Sequence, residues 1–237
     1  MVTEQLTSPS VSIASRRTLA RVTAAAGLVT LVLVLGSSLV NNYGGIPFTA
    51  DSGRIVVFFR SIDDTLGAAS SFVTAVGLIA MLWFALGLAL LLRQFDGELP
   101  WRAVFLAGAG VVSVVSGQIG SWDAAAYRSS DIDPQVARYA FDLGNISFAN
   151  SWVATGALAI CAGLIMIGSS ELPQWLGWWA LVAGVGQVLA RAIWTHDVAF
   201  VPFALYWLWT AALCVVLLAG RFDRPRDAAR RTDRPQV

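Results

Sequence analysis

The sequence predicts an all-α, polytopic membrane helix bundle with about six spanning helices and both termini in the cytoplasm. Three observations predict it. Hydrophobic residues are 57% of the 237 and charged residues only 13%, about half the charged share of a soluble domain. Six apolar runs approach the ~20 residues that cross ~30 Å of hydrocarbon. Arginine, the only strongly basic residue type in the chain, is unevenly shared between alternate loops. A soluble core of this length cannot absorb so much apolar surface, so lipid must take its place as solvent.

The predicted spans are 22–40, 67–92, 102–122, 146–168, 175–193 and 199–220. The first is dominated by Leu and Val, and the second runs without interruption from Gly67 to Leu92. The third follows Arg102 and ends at Trp122. The fourth opens with Ser147, Asn150 and Ser151 before turning wholly apolar. Asp133-Pro134 upstream is a helix start, and only Gly144 interrupts the run from there, so this helix is expected to begin outside and continue into the membrane. The fifth starts at Trp175; the sixth holds Pro202 near its start, where a missing N–H does least harm. Backbone in lipid must bond to itself, which makes these runs helices. They lack the apolar–polar alternation of membrane strands.

Arginine counting sets the topology. With the N-terminus inside, the inner segments hold Arg16, Arg17, Arg21, Arg93, Arg102 and the six arginines from Arg221 to Arg234, eleven in all. The outer segments hold five: Arg54, Arg60, Arg128, Arg138 and Arg191. The expected organisation is a cytoplasmic tail 1–21, a six-helix domain 22–220, and a basic, disordered cytoplasmic tail 221–237 along the anionic inner leaflet. Ser15-Arg16-Arg17 before an apolar run resembles a weak twin-arginine signal. The run is long and no small-x-small cleavage site follows it, so a retained first helix is expected. Only the outer loops 41–66 and 123–145 have real length. Asp63-Asp64, with Ser61, look like caps of the second span.

Composition excludes several classes. A net charge of +1 gives no nucleic-acid footprint. One His and two cysteines, Cys161 and Cys214, both inside apolar stretches, fit no haem, zinc or redox motif. No cofactor and no metal are expected. The chain has no P-loop, HExxH, GxSxG, DDxxD, arginine ladder or TVGYG filter. No sequence motif recurs between the two halves, as an inverted-repeat transporter would show.

Polar groups at a membrane border are costly, so each is a functional candidate. In the third span Ser116, Gly120 and Asp123 share a stripe, with Asp123 at the outer mouth beside Trp122. Before the fourth span Asp142 and Asn145 share a face, Asn150 follows within a quarter turn, and Arg138 lies four residues before Asp142 as an intrahelical partner. In the fifth span Gly184, Gln187, Arg191 and Trp194 form a stripe. Arg191 needs a partner, and Asp123, Asp142 and Asp197 are the candidates. Asp123 and Asp142 are the candidate catalytic acids. Asn145, Asn150, Gln187, Arg191, Trp122, Trp152 and Trp194 are the candidate binding residues. Of the ten tryptophans, Trp101, Trp122, Trp175, Trp178 and Trp194 fall at expected interfaces. Trp83, Trp152, Trp207 and Trp209 fall deeper and read as packing.

The stretch DIDPQVARYAFDLGNISFANSW, and SSELPQWLGWWALVAGV after the next apolar run, resemble a set of uncharacterised actinobacterial integral membrane proteins. The matching residues are Asp133, Pro134, Ala137, Arg138, Asp142, Leu143, Gly144 and Asn145, then Leu172, Pro173, Trp175, Leu176, Gly177 and Trp178. The resemblance implies six helices in a bacterial inner membrane and brings no catalytic residue. Three functions follow from the residues. The first is a lipid- or partner-binding bundle with a polar outer-leaflet cluster, the partner being a second copy or another membrane protein. The second is an intramembrane enzyme on a prenyl- or terpene-like lipophilic substrate, with an outer-face Asp. The third is a secondary transporter.

Overall fold

The computed structural model describes residues 13–41, 45–62, 64–95, 100–169 and 172–220. The 221–237 tail, the cap residue Asp63, most of the 1–21 tail and parts of both short loops expected inside fall outside that set. Six helices are long and apolar enough to cross a membrane, and the described residues contain no strand.

The spanning helices are α1 (Ile13–Asn41), α3 (Asp64–Leu92), α4 (Pro100–Tyr127), α5 (Pro134–Gly168), α6 (Gln174–Ala190) and α7 (Phe200–Leu218). A short helix, α2 (Ser52–Ser61), precedes α3. Each spanning helix packs on its neighbour in sequence, and α7 packs back on α1. The result is a closed six-helix ring of antiparallel neighbours, as short loops between successive spans require. The even number of spans brings both ends of the bundle to one face, here the termini face; the other is the loop face. The interior is filled by fully buried Phe84, Leu88, Leu158, Leu176, Tyr206 and Trp209, so the ring encloses a packed core. Trp209 Nε1 donates to the Leu176 carbonyl at 3.1 Å, which ties α7 to α6.

Glycines set a backbone-to-backbone contact between α5 and α6. Gly156 and Gly163 of α5 lie seven residues apart, as do Gly177 and Gly184 of α6. A Cβ on Gly156 would sit 2.7 Å from the Gly184 carbonyl oxygen, and one on Gly163 would sit 2.7 Å from that of Gly177. Backbone meets backbone at two levels, because side chains are missing at both.

One helix outruns the bilayer furthest. The 35 residues of α5 span about 52 Å at the helical rise, well beyond the hydrocarbon thickness. Its N-terminal end therefore stands clear of the loop face, as Asp133-Pro134 predicts. Asp133 caps it by accepting from the Gln135 N–H at 2.7 Å and the Val136 N–H at 3.4 Å. The C-terminal end of α4 runs beside it.

Helix α2 packs on that hairpin, inside a segment read from sequence as loop. Asp51 caps it by accepting from the Arg54 N–H at 3.0 Å. Its apolar side, Ile55, Val56, Phe58 and Phe59, joins Ala125, Ala137, Ala140 and Phe141 in a second core. Arg60 Nε donates to the Ser129 carbonyl at 2.8 Å, closing the cap over the turn between α4 and α5. The signal was legible: an Asx cap followed by apolar residues at i, i+1, i+3 and i+4 is an amphipathic turn-and-a-half.

Candidate functional site

The candidate residues separate into two groups on the loop-face half of the ring. The first lies at the junction of α5, α6 and α7. Asn150 projects from α5 and Arg191 from the 3-10 turn that ends α6, and Arg191 Nε donates to Asn150 Oδ1 at 2.7 Å. One turn deeper, Thr155 Oγ1 donates to Gln187 Oε1 at 2.6 Å. Gln187 is fully buried, and its Nε2 has no partner among the described residues. The stripe Gly184–Gln187–Arg191 read from sequence is thus the contact face of α6 with α5. Two pairs of glycines bring the helices together, and the polar pairs sit where the contact opens toward the loop face.

Arg191 was expected to pair with Asp123, Asp142 or Asp197. It pairs with none of them. Its partner is the neutral amide of Asn150, because α5 presents Asn150 to α6 while Asp142 lies two turns further out. Asp123 belongs to α4, on the other side of α5.

Trp152 is buried beside this pair. Its ring meets Phe148 at 5.6 Å, Phe200 at 5.5 Å and Phe203 at 6.0 Å in edge and tilted geometries. From Phe203 the aromatic contacts continue to Trp207 and Tyr206. Trp152 Nε1 has no partner among the described residues. Trp194 is half-buried and stacks at a tilt on Phe48, with centroids 4.9 Å apart.

The second group sits under the α2 cap. Trp122 lies parallel to Phe141 at 6.0 Å and edge-on to Phe58 at 5.8 Å. Its indole edge fills the space a Cβ would take at Gly144, which explains the glycine in the middle of this helix. Asn145 is buried and donates through Nδ2 to the Phe141 carbonyl at 2.8 Å, a bond within its own helix. Asp142 and Arg138 form the expected i,i+4 pair at 3.8 Å, both half exposed. Asp123 accepts from Ser71 Oγ at 2.6 Å on an exposed rim. The structure thus divides a row that sequence reading treated as one polar entrance. Asn145 turns inward, Asp142 faces outward, and only Asn150 reaches α6.

Trp207 and Trp209 are buried in the ring as packing. Trp83 is not: it is 59% exposed and points away from the core. Cys214 is buried and Cys161 half-buried, both as free thiols.

Two cavities of similar size flank the ring. One of about 230 Å³ lies between α1 and α3 and is lined by Val32, Leu33, Gly36, Ser37, Ala69, Ser70 and Val73. The other, of about 240 Å³, lies at the termini face between α1 and α7. Neither is lined by Asp123 or Asp142.

No protein-family model matches the chain, and comparison with curated proteins and with solved structures finds no match. Any reading of activity therefore starts from the residues themselves.

Proposed function

We propose that this chain is a lipid-binding multi-pass protein of a bacterial inner membrane, with its termini in the cytoplasm and an outer-leaflet headgroup site built on Arg191 and Asn150. One observation carries the reading. Arg191, at the end of a spanning helix, is held by a neutral amide and forms no ion pair among the described residues. An uncompensated guanidinium at a membrane border is costly, and a lipid phosphate supplies both the missing charge and the forked geometry that guanidinium favours. The surroundings suit a lipid. Leu189 and Ile193 are exposed beside Arg191 as a wall for acyl chains, and Trp194 lies where aromatic belts meet headgroups. The arginine bias supports the orientation, and the likeness to actinobacterial membrane proteins favours the compartment.

The test is phospholipid retention by the purified protein in mild detergent, read by native mass spectrometry. Arg191→Gln is expected to lower retention of phosphatidylglycerol relative to phosphatidylcholine. Equal retention by variant and wild type would remove the reading.

Partner binding has separate support in α4, the least buried of the six spans. Its lipid-facing side carries Ser113, Gly117 and Gly120, and a Cβ at either glycine would meet nothing within 4 Å. Small residues open to lipid suit contact with a second copy of the chain. The alternative of an intramembrane enzyme on a prenyl-like substrate has less in its favour. Its acids, Asp123 and Asp142, are engaged by Ser71 and Arg138 on exposed surface. A secondary transporter would need a polar crevice at mid-depth, where this ring is filled by Phe84, Leu88, Leu158 and Tyr206.

A further inference from the structure

The cavity at the termini face is lined by Arg17, Ala20 and Arg21 of α1 and by Leu217–Gly220 at the end of α7. The spacing i, i+3, i+4 puts the three α1 residues on one side of that helix. Ala20 is only 3% exposed and packs into the core. Its small side chain leaves a recess, and the two arginines stand over it. Arg21 is exposed and forms no hydrogen bond or ion pair among the described residues.

The opposite wall is closed in part by its own backbone. At the end of α7 the Ala219 N–H donates to the Val215 carbonyl at 2.9 Å, and the Gly220 N–H donates to the Leu217 carbonyl at 3.2 Å. Gly220 adopts a left-handed φ of 69°, a conformation that glycine takes without strain. It turns the chain off the helix axis as a helix C-cap does. Two helix-terminal carbonyls are thus satisfied by the chain itself. Leu218, 48% exposed, continues the cavity wall toward lipid.

We propose that this cavity binds the phosphate of an anionic phospholipid, with Arg17 and Arg21 as its cationic wall and an acyl chain laid along Leu218. The cavity, at about 240 Å³, has room for a phosphate with several waters. The Arg21 guanidinium suits the phosphate's spread of acceptor oxygens, and Arg17, one turn away, adds positive charge to the same wall. This site stands apart from the Arg191 site, at the opposite end of the ring.

Both sites are read in one experiment on the full chain in mild detergent, with phosphatidylglycerol, phosphatidylcholine and inorganic phosphate as probes in native mass spectrometry. Two retained phosphatidylglycerol molecules are expected in the wild type. Arg21→Gln is expected to weaken one of them about fivefold, Arg191→Gln the other, and Arg21→Lys neither strongly. Arg21 is exposed, so its variants fold; Leu218→Trp, which narrows the cavity mouth, is an independent second probe and should lower the same occupancy. The proposal is overturned if Arg21→Gln retains phosphatidylglycerol as the wild type does, or if phosphatidylcholine is held equally well. Displacement of the lipid by millimolar inorganic phosphate would assign the cavity to a soluble anion and overturn the lipid assignment. Loss in Arg191→Gln alone counts against this cavity; loss in Arg21→Gln alone counts against the Arg191 site.

Discussion

Arg191 Nε and Asn150 Oδ1 meet at 2.7 Å between α6 and α5, so the fifth spanning helix is joined to the fourth by a charged donor and a neutral acceptor. The arrangement fixes the side chain of Arg191 while leaving its charge available.

Replacing Asn150 by Asp converts this contact into an ion pair. Asn150→Asp is expected to raise the unfolding temperature in detergent and to weaken phosphatidylglycerol retention, because the carboxylate now neutralises Arg191. A double-mutant cycle of Asn150→Ala and Arg191→Ala should give a coupling of about 1–2 kcal/mol, typical of a hydrogen bond with one charged member. The cycle of Asp142→Ala with Arg191→Ala should give none.

The two-level glycine contact between α5 and α6 tolerates no side chain. Gly156→Leu puts four carbons where the Gly184 carbonyl lies 2.7 Å from a Cβ. Overpacking of this kind costs roughly 1–3 kcal/mol or more. Thermal unfolding followed with a thiol-reactive dye should report it, since Cys214 is buried and Cys161 half-buried until the ring opens. Val182→Leu, 62% exposed on the outer side of α6, is the control and should leave the unfolding temperature unchanged.

Thr155 is the partner of Gln187 Oε1. Thr155→Val leaves the whole Gln187 amide buried and unsatisfied, at a cost of about 1–3 kcal/mol. Adding Gln187→Leu to Thr155→Val removes the orphaned group and is expected to restore most of the loss. A double variant less stable than Thr155→Val alone would contradict this account.

The α2 cap is a separate small core. Phe59, fully buried, fills its centre, and Phe59→Ala should cost about 3–5 kcal/mol of cap stability. Protease added to the loop face of sealed vesicles is expected to cut within residues 45–62 in this variant and to leave the spanning helices intact. Arg60→Ala removes two bonds, to the carbonyls of Ser129 and Ser130, and should give the same cleavage more weakly.

A second copy docked on α4 would bring Gly117 near its own counterpart. Gly117→Cys is expected to form a disulfide-linked dimer under mild oxidation in membranes, whereas Leu164→Cys, exposed on α5, should not. Equal cross-linking at both positions would mean random collision.

Much of this protein is written in its composition and spacing. Six long apolar runs with few charges must be helices in lipid, since an unbonded backbone costs too much there, and their number follows from length alone; their bounds do not, since α1 starts at Ile13, nine residues before the span read from sequence. Asp133-Pro134 and the i,i+4 pair Arg138–Asp142 are local features, so sequence spacing predicts them. Tertiary structure decided the rest. The partner of Arg191 depends on which α5 residues face α6, and that rotation is fixed by Gly156 and Gly163 meeting Gly184 and Gly177. The same rotation buried Asn145, left Asp142 outside and placed Gln187 in the core. The exposure of Trp83 and the cavity between α1 and α7 depend on ring closure, which joins residues nearly two hundred positions apart. In lipid an apolar residue gains little by facing inward, so hydrophobicity marks the spans but not their inner faces; close packing of small residues chooses those.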